Sequence, residues 1–277
     1  MYGAIIGDII GSPFEFSSRK VAKDFDLWEK RVTYTDDSVM SIAIADALMK
    51  TGKNADRCTM EQEFICSMQK WGLEYINAGY GGMFYNWLLS PSPKPYGSFG
   101  NGSAMRVSPV GWVFDDLDRT REVARWSAEV THNHPEGLKG AEATASAIWM
   151  SRNGASKTEI KDYIQKEFDY DLARHCDDIR ANYSFDVSCQ GSVPEAIISF
   201  LDSNDYEDCI RNAVSLGGDT DTQACIAGGI AEAFYGVPSE MVENAKKILT
   251  KELRNKIDEF YRYIGKNNGT DEIKGVL

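Results

Sequence analysis

The chain has 277 residues, a length that suits one large domain or two small ones. Hydrophobic residues make up 43% of it, enough to build a core, so we expect a globular protein rather than a disordered one. The net charge of −12, with no local basic stripe, argues against binding to nucleic acid.

Apolar residues recur at helical spacing along most of the chain, and alternating β-branched runs are nearly absent. This pattern predicts an all-α protein. The predicted helical segments are residues 2–10, 38–48, 64–75, 138–149, 160–164, 223–236, 241–249 and 253–264.

Three of these segments, residues 2–10, 38–48 and 223–236, are small and apolar on nearly every face. Helices of this kind lie at the centre of a bundle, where small side chains let neighbouring helices approach closely. No linker or repeat divides the chain, so we predict one domain over residues 1–277. Residues 90–102, rich in Pro and Gly, predict a long ordered loop of the kind that is often functional.

The six cysteines form no Cys-x-x-Cys pair and no recurrent spacing, which predicts reduced thiols and a cytoplasmic protein. The apolar start of the chain contains Asp8 and lacks a basic region, so we do not interpret it as a signal peptide. The longest uncharged apolar stretch, residues 222–231, falls well short of the ~20 residues that a membrane helix needs. We therefore predict no membrane partner.

Two acidic motifs stand at the starts of two central helices: Tyr34-Thr-Asp-Asp-Ser38 and Ser215-Leu-Gly-Gly-Asp-Thr-Asp-Thr222. One Thr or Asp per helix is explained by capping. Four Asp in one cleft would repel one another unless cations lie between them, and oxygen ligands suit Mg²⁺ better than Zn²⁺. The residues alone leave capping and metal binding open, although the Gly217-Gly218 pair favours a close approach to a metal.

Three further motifs carry candidate polar groups. The glycine-rich residues 97–102 precede a helix predicted to begin near Ser103, and they form either an anion-binding loop or a plain one. His132 and His134 lack a third ligand at zinc spacing, which leaves a capping role or a substrate contact. Glu15 follows a Gly-Ser-Pro turn, where it is either a gating acid or base or an exposed loop residue.

In this order, the motifs resemble those of the ADP-ribosylglycohydrolase family, which includes the dinitrogenase reductase-activating glycohydrolases. The matching segments are residues 3–15, 34–37, 100–106, 131–132 and 215–222. The resemblance implies an orthogonal all-α bundle with two Mg²⁺ ions, or Mn²⁺ instead, in a central dimetal cleft.

The resemblance also implies a role for each matching residue. The implied metal ligands are Thr35, Asp36, Asp37, Asp219, Asp221 and Thr222. The implied catalytic residues are Glu15, as a flap glutamate, together with Asp37 and Asp219. The implied substrate contacts are Ser98, Phe99, Gly100, Asn101, Gly102 and His132, with Phe99 beside the adenosine half.

The expected reaction is hydrolysis of the glycosidic bond between ADP-ribose and a modified protein side chain, with arginine favoured over serine as the acceptor. The attacking water would be associated with the metal ions, or it would be activated by Glu15 or by one of the ligand aspartates. Two alternatives stay open: a dimetal hydrolase of a free ADP-ribosyl metabolite, and a non-catalytic ADP-ribose-binding or structural protein.

Overall fold

The computed structural model describes residues 1–17 and 20–266. Within these residues there is no strand, only an isolated antiparallel bridge between Gly100 and Ser188, so the all-α fold class is confirmed. The first helices are α1 (Tyr2–Gly11), a 3₁₀ turn (Ser12–Phe14), α2 (Asp36–Thr51), α3 (Arg57–Glu74), α4 (Gly82–Leu88), α5 (Gly102–Met105), α6 (Ser108–Val113) and α7 (Leu117–Glu129). The remaining helices are α8 (Pro135–Arg152), α9 (Lys157–Phe168), α10 (Cys176–Asn182), α11 (Cys189–Leu201), α12 (Tyr206–Leu216), α13 (Thr220–Tyr235), α14 (Ser239–Ile248) and α15 (Lys251–Tyr263).

The predicted helical segments are all confirmed, and residues 90–101 contain no helix, as expected for the predicted loop. Helices α4, α6, α7 and α10 to α12 were not predicted from the sequence. None of the helices in the described part of the chain is long and apolar enough to cross a membrane. All six cysteines are free. One domain over residues 1–277 stays a prediction, since it extends into residues outside the described ranges.

Helices α1 and α13 form the centre of the bundle. Every residue of α1 is buried, and α13 packs against α1, α8, α11 and α12. The contact face of α1 consists of Gly3, Gly7 and Gly11, one turn apart. A Cβ atom at Gly7 would lie 2.0 Å from the backbone oxygen of Ala224, so only glycine permits this separation. The close contact fixes the start of α13 beside α1 and beside the start of α2.

Gly217 and Gly218 form the turn that leads from α12 into α13. Both have positive φ angles, 76° and 82°, in the region that side chains of L-residues rarely adopt. The turn places Asp219 at the N-cap position, directly before the first residue of α13. The glycine pair singled out in the sequence therefore positions an acidic side chain at a helix start.

Candidate active site

Five carboxylates converge where α1, α2 and α13 meet, in two groups that share one residue. The first acidic triad is Asp8, Asp37 and Asp221, whose ligand oxygens all lie within 4.8 Å of one another. The second acidic triad is Glu15, Asp219 and Asp221, which satisfies the same 4.8 Å limit. Asp221 belongs to both triads and so joins them into one acidic cluster.

Capping accounts for only part of these acidic side chains. Thr35 caps α2, since its side chain accepts from the backbone N–H of Asp37 at 3.3 Å, which leaves Asp36 and Asp37 without that task. Asp219 occupies the cap position of α13 but makes no side-chain capping hydrogen bond. The aspartate at the start of α13 is therefore not explained by capping.

Asp8 supports the start of α2 from the middle of α1. Its carboxylate accepts from the backbone N–H groups of Thr35 at 3.0 Å and Ser38 at 3.1 Å, and from both hydroxyls, with Thr35 Oγ1 at 2.7 Å. Asp8 lies in the motif of residues 3–15, but no role was predicted for it from the sequence. A carboxylate inside an otherwise apolar, fully buried helix was the signal that pointed to this role.

Burial and mutual repulsion raise the pKa values throughout this cluster. The pKa of Asp36 rises to about 8 and that of Glu15 to about 7, in both cases first because of burial and then because of neighbouring carboxylates. Burial, followed by the charges of Asp8 and Asp36, also raises the pKa of Asp37, and burial followed by Asp37 raises that of Asp221. The cluster therefore favours a bound positive charge, whether as protons or as cations.

One buried oxygen of the cluster lacks a partner in the protein. Asp37 Oδ1 is buried, and no hydrogen bond to it is present within the described residues. An orphaned carboxylate oxygen costs free energy unless a cation or a proton satisfies it. The two triads offer only oxygen ligands, and Asp37 Oδ1 is an oxygen without a partner. The residues present therefore fit a hard divalent metal ion.

Only three of the six implied metal ligands belong to the two triads. Asp37, Asp219 and Asp221 are members, and Thr222 Oγ1 lies 3.4 Å from Asp37 Oδ2. Thr35 Oγ1 donates to Asp8 Oδ1, so in this structure it supports another carboxylate. Asp36 faces the adjoining cavity, outside both triads.

The cluster forms one wall of a cavity of about 700 Å³. Its lining includes all six predicted substrate contacts, namely Ser98, Phe99, Gly100, Asn101, Gly102 and His132. It also includes Glu15, Asp36, Asp37, Asp219, Asp221 and Thr222. The structure thus brings twelve of the thirteen sequence-predicted site residues to one concave surface, and Thr35 is the one that is not part of the lining.

The glycine-rich loop is held at both ends. The backbone N–H of Gly97 donates to Asn133 Oδ1 at 2.7 Å, and the backbone N–H of Asn101 donates to the oxygen of Val187 at 2.8 Å. The Asn101 side chain donates from Nδ2 to Asp219 Oδ2 at 2.7 Å. These bonds fix the loop against the second acidic triad.

The two histidines of the His-x-His motif have different tasks. His134 caps α8, because its Nδ1 accepts from the backbone N–H of Glu136 at 3.2 Å. His132 is buried in the cavity wall. The acidic groups in residues 1–17 and 20–266 that could hold a metal ion contain neither of them.

An apolar rim surrounds the cavity mouth. Most of its side chains were not predicted from the sequence. Of the eight large hydrophobic side chains that are exposed among the described residues, five line this cavity: Phe16, Met83, Phe99, Phe185 and Val187. The rings of Phe16 and Phe185 lie 5.8 Å apart. Phe185 and Val187 come from a segment without a motif, so only the folded chain reveals them. Exposed apolar side chains grouped at a cleft mark a surface for ligand contact.

A sequence model of the ADP-ribosylglycohydrolase family matches residues 1–269. The chain belongs to this family. Among its relatives are the ADP-ribosylhydrolase ARH3 of Gallus gallus, 27% identical over 94% of this chain and 91% of that protein, and the ADP-ribosyl-[dinitrogen reductase] glycohydrolase of Rhodospirillum rubrum, 23% identical over 92% of both. Membership confirms the resemblance that the motifs predicted, and it makes the chain a hydrolase-family protein with an ADP-ribose linkage as the expected substrate.

The ADP-ribosylglycohydrolase fold is shared with a solved structure described as an ADP-ribosylglycohydrolase-related protein complex. That chain has a TM-score of 0.70, is 21% identical, and is matched over 95% of both chains. This similarity demonstrates the fold alone. The acidic cluster that can hold a metal ion comes from the geometry of this chain.

Proposed function

We propose that this ADP-ribosylglycohydrolase is a Mg²⁺-dependent enzyme that hydrolyses the glycosidic bond between ADP-ribose and a modified protein side chain. One observation supports this most strongly. The two acidic triads, joined through Asp221, line a cavity together with the glycine-rich loop. Such a cavity has room for a charged, extended ligand between a cationic centre and backbone N–H groups.

The proposed cofactor is a pair of Mg²⁺ ions, with Mn²⁺ as the alternative. Asp37, Asp219 and Asp221 would hold them, with Asp36, Thr35 and Thr222 completing the proposed ligand set. We add Asp8 and Glu15 to the proposed metal ligands because each belongs to one of the triads. When bound, the ions would supply positive charge that holds the ribose hydroxyls, orients the anomeric carbon and activates the attacking water.

Glu15 is the proposed catalytic acid or base. It follows the 3₁₀ turn after α1, half buried at the edge of the cavity and within the second acidic triad. Its pKa is raised to about 7, chiefly by burial and then by Asp219 and Asp8, so it exchanges a proton near neutral pH. This matches the task of accepting a proton from the attacking water.

The loop contacts are proposed for the ADP-ribose itself. Ser98, Gly100, Asn101 and Gly102 would contact the diphosphate and ribose, with His132 beside them. Phe99 is half exposed at the rim and lies 5.3 Å, between ring centroids, from His134, which leaves a ring face for the adenosine half.

The acceptor is proposed to be an arginine side chain rather than a serine. The ring pair of Phe16 and Phe185 stands at the cavity mouth next to Glu15, and aromatic faces attract a guanidinium group. The named relatives do not decide the acceptor, since the identities of 27% and 23% are similar. A rim that projects from the cavity, with Phe16 82% exposed, also favours a protein acceptor over a small metabolite.

The free thiols and the net charge of −12 support a further proposal, that the protein works in the cytoplasm without a nucleic-acid or membrane partner. Cell fractionation and imaging of the tagged protein test the location. Enrichment in an organelle or on a membrane would contradict it.

The decisive experiment measures ADP-ribose released from three substrates: an arginine-ADP-ribosylated peptide, a serine-ADP-ribosylated peptide and a free ADP-ribosyl metabolite. Each is assayed with Mg²⁺, with Mn²⁺ and with EDTA. We expect turnover of the arginine peptide with Mg²⁺ and none with EDTA, and none in the variant Asp221→Asn. If only the free metabolite were turned over, the substrate would be a metabolite and not a modified protein. Binding of ADP-ribose without any turnover would show a non-catalytic protein.

A second assay tests the aromatic pair. Phe16→Leu retains the bulk of the side chain but removes the ring, so turnover of the arginine peptide should fall about 2- to 5-fold relative to the serine peptide. Tyr85→Leu, an exposed aromatic residue outside the cavity lining, serves as the matched control. An unchanged ratio in Phe16→Leu would reject the aromatic contact.

A further inference from the structure

A buried chain of hydrogen bonds links Arg106 to His132 at the cavity wall. Arg106 is 1% exposed, and its Nη2 donates to Thr131 Oγ1 at 2.7 Å. Thr131 Oγ1 in turn lies 2.7 Å from Nδ1 of His132. A guanidinium group has donors only, so Thr131 accepts from Arg106 and keeps its own hydroxyl proton to donate elsewhere.

Two acceptors lie within reach of the Thr131 hydroxyl proton. His132 Nδ1 is at 2.7 Å, whereas the backbone oxygen of Ala128 is at 3.4 Å, beyond the usual ~2.5–3.0 Å of an O–H donor. The Ala128 oxygen also accepts from the backbone N–H groups of Thr131 at 3.0 Å and His132 at 2.7 Å, which occupy its two lone pairs. The hydroxyl proton therefore points at His132 Nδ1.

This direction fixes the protonation of the imidazole. A neutral ring that accepts at Nδ1 has its hydrogen on Nε2. Burial, and then the charge of Arg106, lower the pKa of His132, which keeps the ring neutral. The bond also turns Nε2 away from the protein interior.

The Nε2 side of His132 faces the glycine-rich loop. A Cβ atom at Gly102 would lie 3.2 Å from Nε2, and one at Gly100 would lie 3.6 Å from it. In the parts of the chain that the structure describes, no protein group is hydrogen-bonded to this nitrogen. The space in front of the donor exists because both loop positions lack a side chain.

We propose that Thr131, held by Arg106, fixes His132 as its Nε2–H tautomer, so that the nitrogen facing the cavity donates a hydrogen bond to a ligand oxygen. Thr131 and Arg106 are positioning residues in this arrangement. His132 then recognises a phosphate or ribose oxygen and does not act as a base at that nitrogen. The identity of the ligand as ADP-ribose rests on the proposed function, whereas the tautomer is a property of the free protein.

The tautomer can be measured directly by NMR. The chain has only three histidines, so ¹⁵N-histidine labelling gives three imidazole signals, which His134→Gln and His175→Gln assign. At neutral pH we expect His132 to show an unprotonated Nδ1 and a protonated Nε2 in a two-bond ¹H–¹⁵N spectrum. A protonated Nδ1, alone or together with Nε2, would overturn the proposal even if every variant failed to fold.

Variants of Thr131 test its role. Thr131→Val removes the hydroxyl at nearly constant volume, so the Nδ1–H tautomer should become populated, while Thr131→Ser should retain the wild-type spectrum. Thr120→Val is the matched control. Thr120 is a buried threonine in the first turn of α7, and its hydroxyl donates to the backbone oxygen of Asp116. A pure Nε2–H tautomer in Thr131→Val would show that Thr131 does not fix the ring.

Calorimetry with ADP-ribose relates the tautomer to binding. Thr131→Val should weaken the affinity for ADP-ribose about 10-fold, as expected for a lost hydrogen bond to a charged group, and Thr131→Ser should restore it. An equal affinity in Thr131→Val would overturn the role of the donor in ligand recognition. Should wild type itself fail to bind ADP-ribose, the proposed function fails, but the spectrum still decides the tautomer.

Discussion

Asn101 and Asp219 are joined by a 2.7 Å hydrogen bond from Nδ2 to Oδ2, although 118 residues separate them in the chain. Asn101 lies in the glycine-rich loop, and Asp219 belongs to the second acidic triad. The bond therefore connects the proposed ligand-binding loop to the proposed metal ligands. Asn101 is predicted to contact the substrate, and in the structure its side chain also orients the Asp219 carboxylate.

We expect Asn101→Ala to weaken Mg²⁺ binding about 10-fold, because a metal ligand that loses its outer hydrogen bond loses its orientation. Titration calorimetry with Mg²⁺ measures this. Asn133→Ala is the matched control, since Asn133 holds the other end of the same loop through Gly97 and makes no contact with the triads. Equal Mg²⁺ affinity in both variants would return Asn101 to a purely substrate-binding role.

Glu15→Gln should lower turnover by about 10²-fold or more while affinity for ADP-ribose stays within a few-fold. The amide keeps the shape of the side chain but cannot take a proton from water. Assays at saturating Mg²⁺ separate this effect from weakened metal binding, because Glu15 is also a triad member. The exposed Glu240→Gln in α14 is the control, and unchanged turnover in Glu15→Gln would assign Glu15 no catalytic part.

The local patterns of the sequence predicted the three central helices and the two acidic motifs, but not α4, α6, α7 and α10 to α12. Asp219 and Asp221 stand in a motif that starts a helix, so their shared location followed from residues close together in the chain. Asp8 could not be assigned in the same way, because its partners Thr35 and Ser38 reach it only when α1 lies against α2. Phe185 and Val187 were missed for the same reason, because their segment carries no motif and reaches the cavity only in the folded protein.

Mg²⁺ should raise the melting temperature of the protein by several degrees over EDTA. Binding to the native state at a hundredfold excess over Kd adds about 2.7 kcal/mol, and the metal relieves the repulsion within the triads. Asp221→Asn should remove most of this difference, because Asp221 belongs to both triads, and leave the melting temperature in EDTA unchanged or slightly higher.

Asp46→Asn is the control for that experiment. Asp46 is a buried aspartate of α2 that accepts from Trp71 Nε1 at 2.9 Å and pairs with Lys256 at 3.1 Å, away from the triads. It should lower the melting temperature equally in both buffers. A wild-type melt that is the same with Mg²⁺ and with EDTA would reject the proposed metal site.

Gly7→Ala should destabilise the protein more than a typical surface change. Its methyl group would meet the backbone of Ala224, 2.0 Å away, and overpacking of this kind costs about 1–3 kcal/mol or more, which is several degrees in melting temperature. Gly82→Ala, at the start of α4 with no atom within 4 Å of the new Cβ, should be nearly neutral. Similar melting temperatures for the two variants would contradict the close contact between α1 and α13.

The stabilisation by Mg²⁺ should grow as the pH rises from about 5.5 to 8. In the metal-free protein the pKa values of Asp8, Glu15 and Asp36 are raised to about 6, 7 and 8, whereas unfolded carboxyls titrate near ~4. The folded state therefore holds more protons than the unfolded one in this window, and the free energy of unfolding in EDTA falls as these groups ionise. Metal ions bind the ionised form and displace the protons, so the Mg²⁺-bound protein escapes this loss. Melts in Mg²⁺ and in EDTA across the pH range should show a widening difference, and a difference that shrinks towards pH 8 would contradict the raised pKa values.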